Sequence, residues 1–192
     1  GSAPLWRAFA ISIAASFIAL SGLSLGLAAR GGLNVRGFVR RLAILSGAAA
    51  LVTLGTWAAM PTPITFGILH AIALFSVLAL PFLRAPSWLL WAVALGVLIL
   101  PLVYGSEIFS HPLLYPVGLD PTPPPSMDYE PIFPWFAPML AGLALSRVVS
   151  VPLTPMATDP LALAGRHSLL IYLLHQPILI GIVQGLIRAG VL

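Results

Sequence analysis

The sequence predicts an all-α protein: a polytopic transmembrane helix bundle with six spans, forming one domain over residues 1–192. Residues 42–83 contain no Asp, Glu, Lys or Arg, and the run is broken only by Met60-Pro-Thr-Pro63. Since about twenty apolar residues cross a bilayer core, this stretch reads as two membrane helices joined by a tight turn. The composition agrees: 59% of residues are hydrophobic, 7% are charged and the mean hydropathy is +1.04, whereas soluble domains carry roughly 25% charged residues. No segment alternates with period two, which argues against a barrel and leaves helices as the way to satisfy backbone groups in lipid.

The first span is expected at about 5–29, uninterrupted and apolar after Arg7. The second runs at about 41–60 and the third at about 64–83, divided by the Pro61/Pro63 turn. A fourth follows at about 87–104, before a loop, 105–131, whose prolines prevent a long helix. That loop reads equally as a cap over an external cavity or as a plain connector. The fifth and sixth spans are expected at about 132–149 and 167–187. Gly22/Gly26 and Gly181/Gly185 fit the Gly-x-x-x-Gly spacing that lets helices approach closely. No internal repeat marks a transporter of the inverted-repeat kind.

The connections sort by charge. Arg30, Arg36, Arg40 and Arg41 follow span one, Arg84 follows span three, and Arg147 and Arg166 lie between spans five and six. The positive-inside rule places these on the cytoplasmic side of a bacterial inner membrane. The opposite side receives the 105–131 loop, with Glu107, Asp120, Asp128 and Glu130 and no Arg. The N-terminus then lies outside, and a seventh span before Gly1 is expected to bring it there. All nine basic residues are Arg, and there is no Cys, so disulfides and thiolate chemistry are excluded. The basic balance fits the lipid bilayer or a phosphate-bearing ligand, and no aromatic-interleaved basic groove suggests nucleic acid. No grouping of His, Asp and Glu has metal-ligand spacing.

Ionisable groups at membrane depth are costly and therefore candidates for function. His70 lies about six residues, or roughly 9 Å, from the outer end of span three, and His175 lies near the middle of span six. Ser168, Tyr172, His175 and Gln176 share one helical stripe. The stripe either lines a substrate channel with His175 handling a proton, or hydrogen-bonds between helices to fix packing. Arg36, Arg40 and Arg41 offer planar forks suited to phosphate; on residue chemistry alone the charge rule for cytoplasmic loops and contact with lipid headgroups are the preferred explanation.

Three stretches carry a resemblance: Phe66-Gly-Ile-Leu-His-Ala-Ile-Ala-Leu74, Asp128-Tyr-Glu-Pro-Ile-Phe-Pro-Trp-Phe136 with Gly142 following, and Gly165-Arg-His-Ser-Leu-Leu-Ile-Tyr-Leu-Leu-His-Gln-Pro177. In this order and spacing the chain resembles the bacterial multi-pass family that shares the catalytic domain of heparan-alpha-glucosaminide N-acetyltransferase. Arg7-Ala-Phe and Ser16–Leu25 fit its second helix and Arg40-Arg41-Leu its third, while the family's first helix, with its Asp-x-x-Arg-Gly-like entry, has no counterpart here.

The resemblance implies a membrane acyltransferase. Acetyl-CoA would bind from the cytoplasm as donor, without a metal. Its acetyl group would pass to an amine or hydroxyl of a glycan-like acceptor on the far side, with a histidine as general base, a role that suits its pKa. The candidates for acceptor-side chemistry are His70, His175 and Asp128; those for holding the coenzyme are Arg36, Arg40, Arg41, Arg166, Tyr172 and Gln176. The alternative is a non-catalytic membrane subunit or scaffold of a larger complex, and a homo-oligomer or a membrane partner is compatible with either. A small-solute transporter or lipid carrier is disfavoured by the absence of repeats and of intramembrane carboxylates.

Overall fold

The structure, a computed structural model, describes residues 3–59, 61–123, 126, 128–149, 171 and 185–187. The chain divides into two compact units, 1–150 and 151–192. In the second unit Ile171 and residues 185–187 are helical; the sixth expected span otherwise lies outside the described residues, and the architecture below is that of the first unit.

The described residues form helices and no strand: α1 (Ala3–Ala28), α2 (Val35–Ala59), α3 (Ile68–Leu78), α4 (Ser87–Val103) and α5 (Ile132–Leu145). A 3₁₀ turn, Leu80–Arg84, follows α3, and two more, Glu107–Ser110 and Pro112–Leu114, lie in the long loop. Two segments, Pro4–Ala28 and Val35–Ala58, are long and apolar enough to cross a membrane. Little of either is buried inside the protein, and Trp6, Phe9, Leu20, Leu51 and Trp57 stand exposed along them. The core helix of a soluble domain would hide such side chains, whereas lipid leaves them where they are.

The remaining helices are shorter than the sequence reading gave them. α3 has 11 residues, α4 has 17 and α5 has 14. α3 starts four residues later than expected, because Pro61 and Pro63 hold the chain in turn and extended conformations. It ends at Ala79 because Pro81 has no N–H to continue the ladder. At 1.5 Å per residue α3 rises only about 16 Å. It is nevertheless the most enclosed element, with Ile68, Leu69, Ala71, Ile72, Ala73, Phe75 and Ser76 buried. α2 begins six residues earlier than expected, since Asn34 caps it: its Oδ1 accepts the Gly37 N–H at 3.0 Å. Gly32, at φ +105°, supplies the left-handed turn between α1 and α2.

α5 packs against both α1 and α4, and α3 rests on α1, α2 and α5. The α1–α5 seam is backbone on backbone: a Cβ at Gly142 would fall on the Ala19 carbonyl, and one at Gly22 on that of Met139. Phe75 of α3 meets Phe136 of α5 edge-on at 5.4 Å between centroids, a geometry the ring quadrupoles favour.

Candidate functional site

Polar and ionisable side chains gather where α3 begins. Gly67 precedes the helix in extended conformation, at φ −93° and ψ −172°, so the first amides of α3 point outward without helical partners. His70, three residues on, reaches back so that its Nδ1 accepts the Gly67 N–H at 3.3 Å. The next amide, Ile68 N–H, donates to Oδ2 of Asp128 at 3.1 Å. A Cβ at Gly67 would fall on the Asp128 carboxylate, so a larger residue there would push the carboxylate aside. A carboxylate at this end also faces the positive pole of the helix.

The hydrogen-bond partners fix the proton on His70. Thr53 Oγ1 donates to the Ile64 carbonyl at 2.8 Å and lies 3.2 Å from His70 Nε2. With its one proton committed, the hydroxyl accepts, so Nε2 carries the ring proton. Nδ1 keeps its lone pair for Gly67. His70 is thus held neutral, in one tautomer, with both nitrogens occupied.

Two residues beyond Asp128, the Glu130 N–H donates to the Phe66 carbonyl at 3.2 Å and ties this segment to the entry of α3. Glu130 Oε2 is buried with no partner among the described residues. Burial, with the charge of Asp128 added, pushes its carboxyl up to about 8. Burial also raises Asp128, against the opposing pull of the Ile68 amide. Tyr129 donates its hydroxyl to the Tyr115 carbonyl at 2.7 Å and is pushed up to about 12 by burial and by Asp120 and Tyr115. A neutral imidazole and the Asp128 carboxyl therefore sit on consecutive amides at the start of α3, and the segment that carries Asp128 adds a buried acid with an unused oxygen, whose proton is held above the usual carboxylate range. Such a set can hold, accept or release a proton.

Arg7 apart, the arginines among the described residues occupy the opposite end and do not act alike. Arg30 donates from Nη2 to the carbonyls of Ser146 and Val149, and Arg147 from Nη2 to that of Phe82 at 3.2 Å. Both close the chain ends of neighbouring helices. Arg41 spends its guanidinium on Ser21 Oγ of α1 at 2.9 Å. Arg36 and Arg40, one turn apart on α2, are exposed and make no hydrogen bond among the described residues. Thr53, the partner of His70, follows Arg41 by twelve residues of α2, which is about 18 Å along the axis.

Of the residues singled out in the sequence, His70 and Asp128 come together at the start of α3. Arg36, Arg40 and Arg41 lie in the first two turns of α2, at the start of the second span as the sequence places them. His175, Tyr172, Gln176 and Arg166 lie outside the described residues. Glu130 and Thr53 were missed. The spacing Asp128-x-Glu130 signals the first, since two acids so close oppose each other's ionisation; a lone Thr in an apolar run signals nothing.

No curated protein and no solved structure matches the chain. The family model described as heparan-alpha-glucosaminide N-acetyltransferase, catalytic, matches residues 1–177. That match takes in the helix-end site and the arginine-bearing turns alike, and with it the chain belongs to the family of the heparan-alpha-glucosaminide N-acetyltransferase catalytic domain.

Proposed function

We propose that the protein is a polytopic enzyme of the bacterial inner membrane, with six spans in one domain. It moves an acetyl group from cytoplasmic acetyl-CoA to an amine or hydroxyl of a sugar-like acceptor on the outer side. Family membership carries this reading, because it brings acetyl transfer in a membrane setting. The exposed pair Arg36 and Arg40 fits the coenzyme's phosphates, as guanidinium forks do; Arg166, Tyr172 and Gln176, outside the described residues, are the further candidates for the donor. Arg41 serves it indirectly, by holding α2 on α1.

In the transfer, the acceptor nitrogen or oxygen attacks the thioester carbonyl carbon. The new C–N or C–O bond forms, the C–S bond breaks and the coenzyme leaves as its thiolate. The acceptor's proton passes to a base and from there to the thiolate. His70 takes it at Nδ1 only once the Gly67 N–H lets go, and Asp128, on the next amide, stabilises the cation that forms there; His175 is the other imidazole proposed for the task. The occupied ring of His70 also favours a second reading, a non-catalytic membrane subunit or scaffold in which these bonds only set the helix. A homo-oligomer or a fixed membrane partner is compatible with both.

Detergent-solubilised full-length protein, given radiolabelled acetyl-CoA and glucosamine oligosaccharides, tests the proposal. Saturable transfer is expected, with the KM for acetyl-CoA raised about tenfold in the Arg36→Ala/Arg40→Ala double variant, equal to about 1.4 kcal/mol. Absence of both donor binding and transfer from the wild-type chain would leave the scaffold reading standing.

A further inference from the structure

An open cleft of about 440 Å³ lies at the outer end of α4, between residues 101–105 and residues 118–121. Its size falls in the range of small-molecule sites. The two walls are pinned to each other and to the loop that carries them. Ser106 N–H donates to the Leu119 carbonyl at 3.1 Å. Asp120 Oδ1 accepts Ser110 Oγ at 3.0 Å and the Thr122 N–H at 2.9 Å, with Thr122 Oγ1 at 3.3 Å. Gly118, at φ +85°, makes the turn into the second wall, where the Phe133 carbonyl and Pro131 leave no room for a side chain. The cleft is thus preformed, which lowers the ordering cost of binding.

Its chemistry is amphipathic. Leu102 and Val103 form an apolar side, and Tyr104 is 51% exposed with Phe109 set edge-on against it at 6.4 Å. Across from them stands Asp120. Its Oδ1 is saturated, while Oδ2 accepts no hydrogen bond among the described residues. An aromatic ring beside a carboxylate with an unused oxygen suits a sugar, whose C–H face packs on the ring while hydroxyl or ammonium groups donate to the acid. The setting also selects by charge. Asp120 lines the cleft and Glu107 lies two residues from its first wall, while residues 105–131 hold not one Arg or Lys. An anionic ligand would meet repulsion here with no cation to offset it.

We propose that this cleft seats the acceptor, and that it takes a saccharide ring without anionic groups while turning away sulfated or uronate-bearing chains. The inference rests on the acetyltransferase reading for its purpose, and not for its test. Full-length protein in lipid nanodiscs, without acetyl-CoA, is titrated with three probes: an N-acetylglucosamine oligosaccharide, a glucosamine oligosaccharide and a sulfated heparin oligosaccharide. The first two are expected to bind and the third is not. Tyr104→Ala weakens both binders about tenfold or more and Tyr104→Phe leaves them unchanged. Asp120→Asn keeps an oxygen for Ser110 and Thr122, so the loop persists, and weakens the glucosamine probe about tenfold. Equal or tighter binding of the sulfated probe overturns the proposal, as does affinity untouched by Tyr104→Ala and Asp120→Asn, or no binding by any probe. Sugar binding without acetyl transfer sinks the enzymatic reading alone. Transfer to a sugar with an acceptor KM indifferent to both variants sinks this one alone.

Discussion

Glu130 is the residue at which environment most changes chemistry. An exposed glutamate is charged at neutral pH; this one is buried beside Asp128 with an unpartnered oxygen, and its carboxyl rises from 4.5 to about 8. The folded protein therefore holds a proton there that the unfolded chain gives up above pH 4.5, so folding stability declines as pH rises from that value and the decline is complete once pH passes about 8. The thermal midpoint of the wild-type protein is expected to fall across this window. In Glu130→Gln, which keeps the shape and cannot ionise, a scan from pH 5 to pH 9 should be flatter. Equal slopes in the two proteins would show that another group governs the dependence. Sequence reading reached His70 and Asp128 as chemically loaded residues. It could not foresee that both bind consecutive amides at the start of α3, because Asp128 and Ile68 are sixty residues apart and only the fold brings such groups together.

The helices show which patterns a sequence carries locally and which need a partner. The long apolar runs of α1 and α2 were legible, because lipid compatibility is a property of each segment alone. The shortness of α3 was not, because hydropathy continues through Leu80–Arg84 while the hydrogen-bond ladder stops at Pro81. Gly22 and Gly26 announced a close approach without naming the helix approached. Their partner is α5, where Gly142 answers from the other side, and Gly26 meets Ser146. A methyl at Gly142 would lie 2.9 Å from the Leu23 nitrogen and fall on the Ala19 carbonyl. Backbone cannot swing aside as a side chain does, so Gly142→Ala must part α1 from α5. It is expected to cost about 1–3 kcal/mol, read as a lowered midpoint in detergent. Gly96→Ala, where an added Cβ meets nothing within 4 Å, should be neutral or slightly stabilising, since alanine is the better helix former. Matching losses in the two variants would mean that helix propensity, and not the seam, sets the outcome.

Across the first unit, charge is separated toward the two ends, Arg7 near the start of α1 excepted. Arg30, Arg36, Arg40, Arg41, Arg84 and Arg147 collect at the end where α1 leaves and α2 enters, drawn together by the bonds of Arg30 to the end of α5 and of Arg147 to the 3₁₀ turn after α3. The acids Glu107, Asp120, Asp128 and Glu130 sit at the other, where the loop ties to the entry of α3. Alternation of loop charge in the sequence foretold this separation, since it follows from counting helices; the sealing of helix ends by Arg30 and Arg147 did not, since carbonyl acceptors leave no mark in a sequence. An asymmetry of this sign orients a chain with its arginines toward the cytoplasm, the orientation that the proposed transfer from a cytoplasmic donor to an outer acceptor requires. The chain has no cysteine, so a single introduced thiol reports its own side without background. Gly31→Cys, in the turn between α1 and α2, adds a side chain where nothing lies within 4 Å. Leu113→Cys replaces a residue 82% exposed in the loop. In intact cells a membrane-impermeant maleimide should label Leu113→Cys and spare Gly31→Cys until the membrane is opened. Labelling of Gly31→Cys first would invert the orientation and put the arginines out of reach of a cytoplasmic coenzyme. Labelling of both in intact cells would mean that the helices between those two positions do not carry the chain across the bilayer.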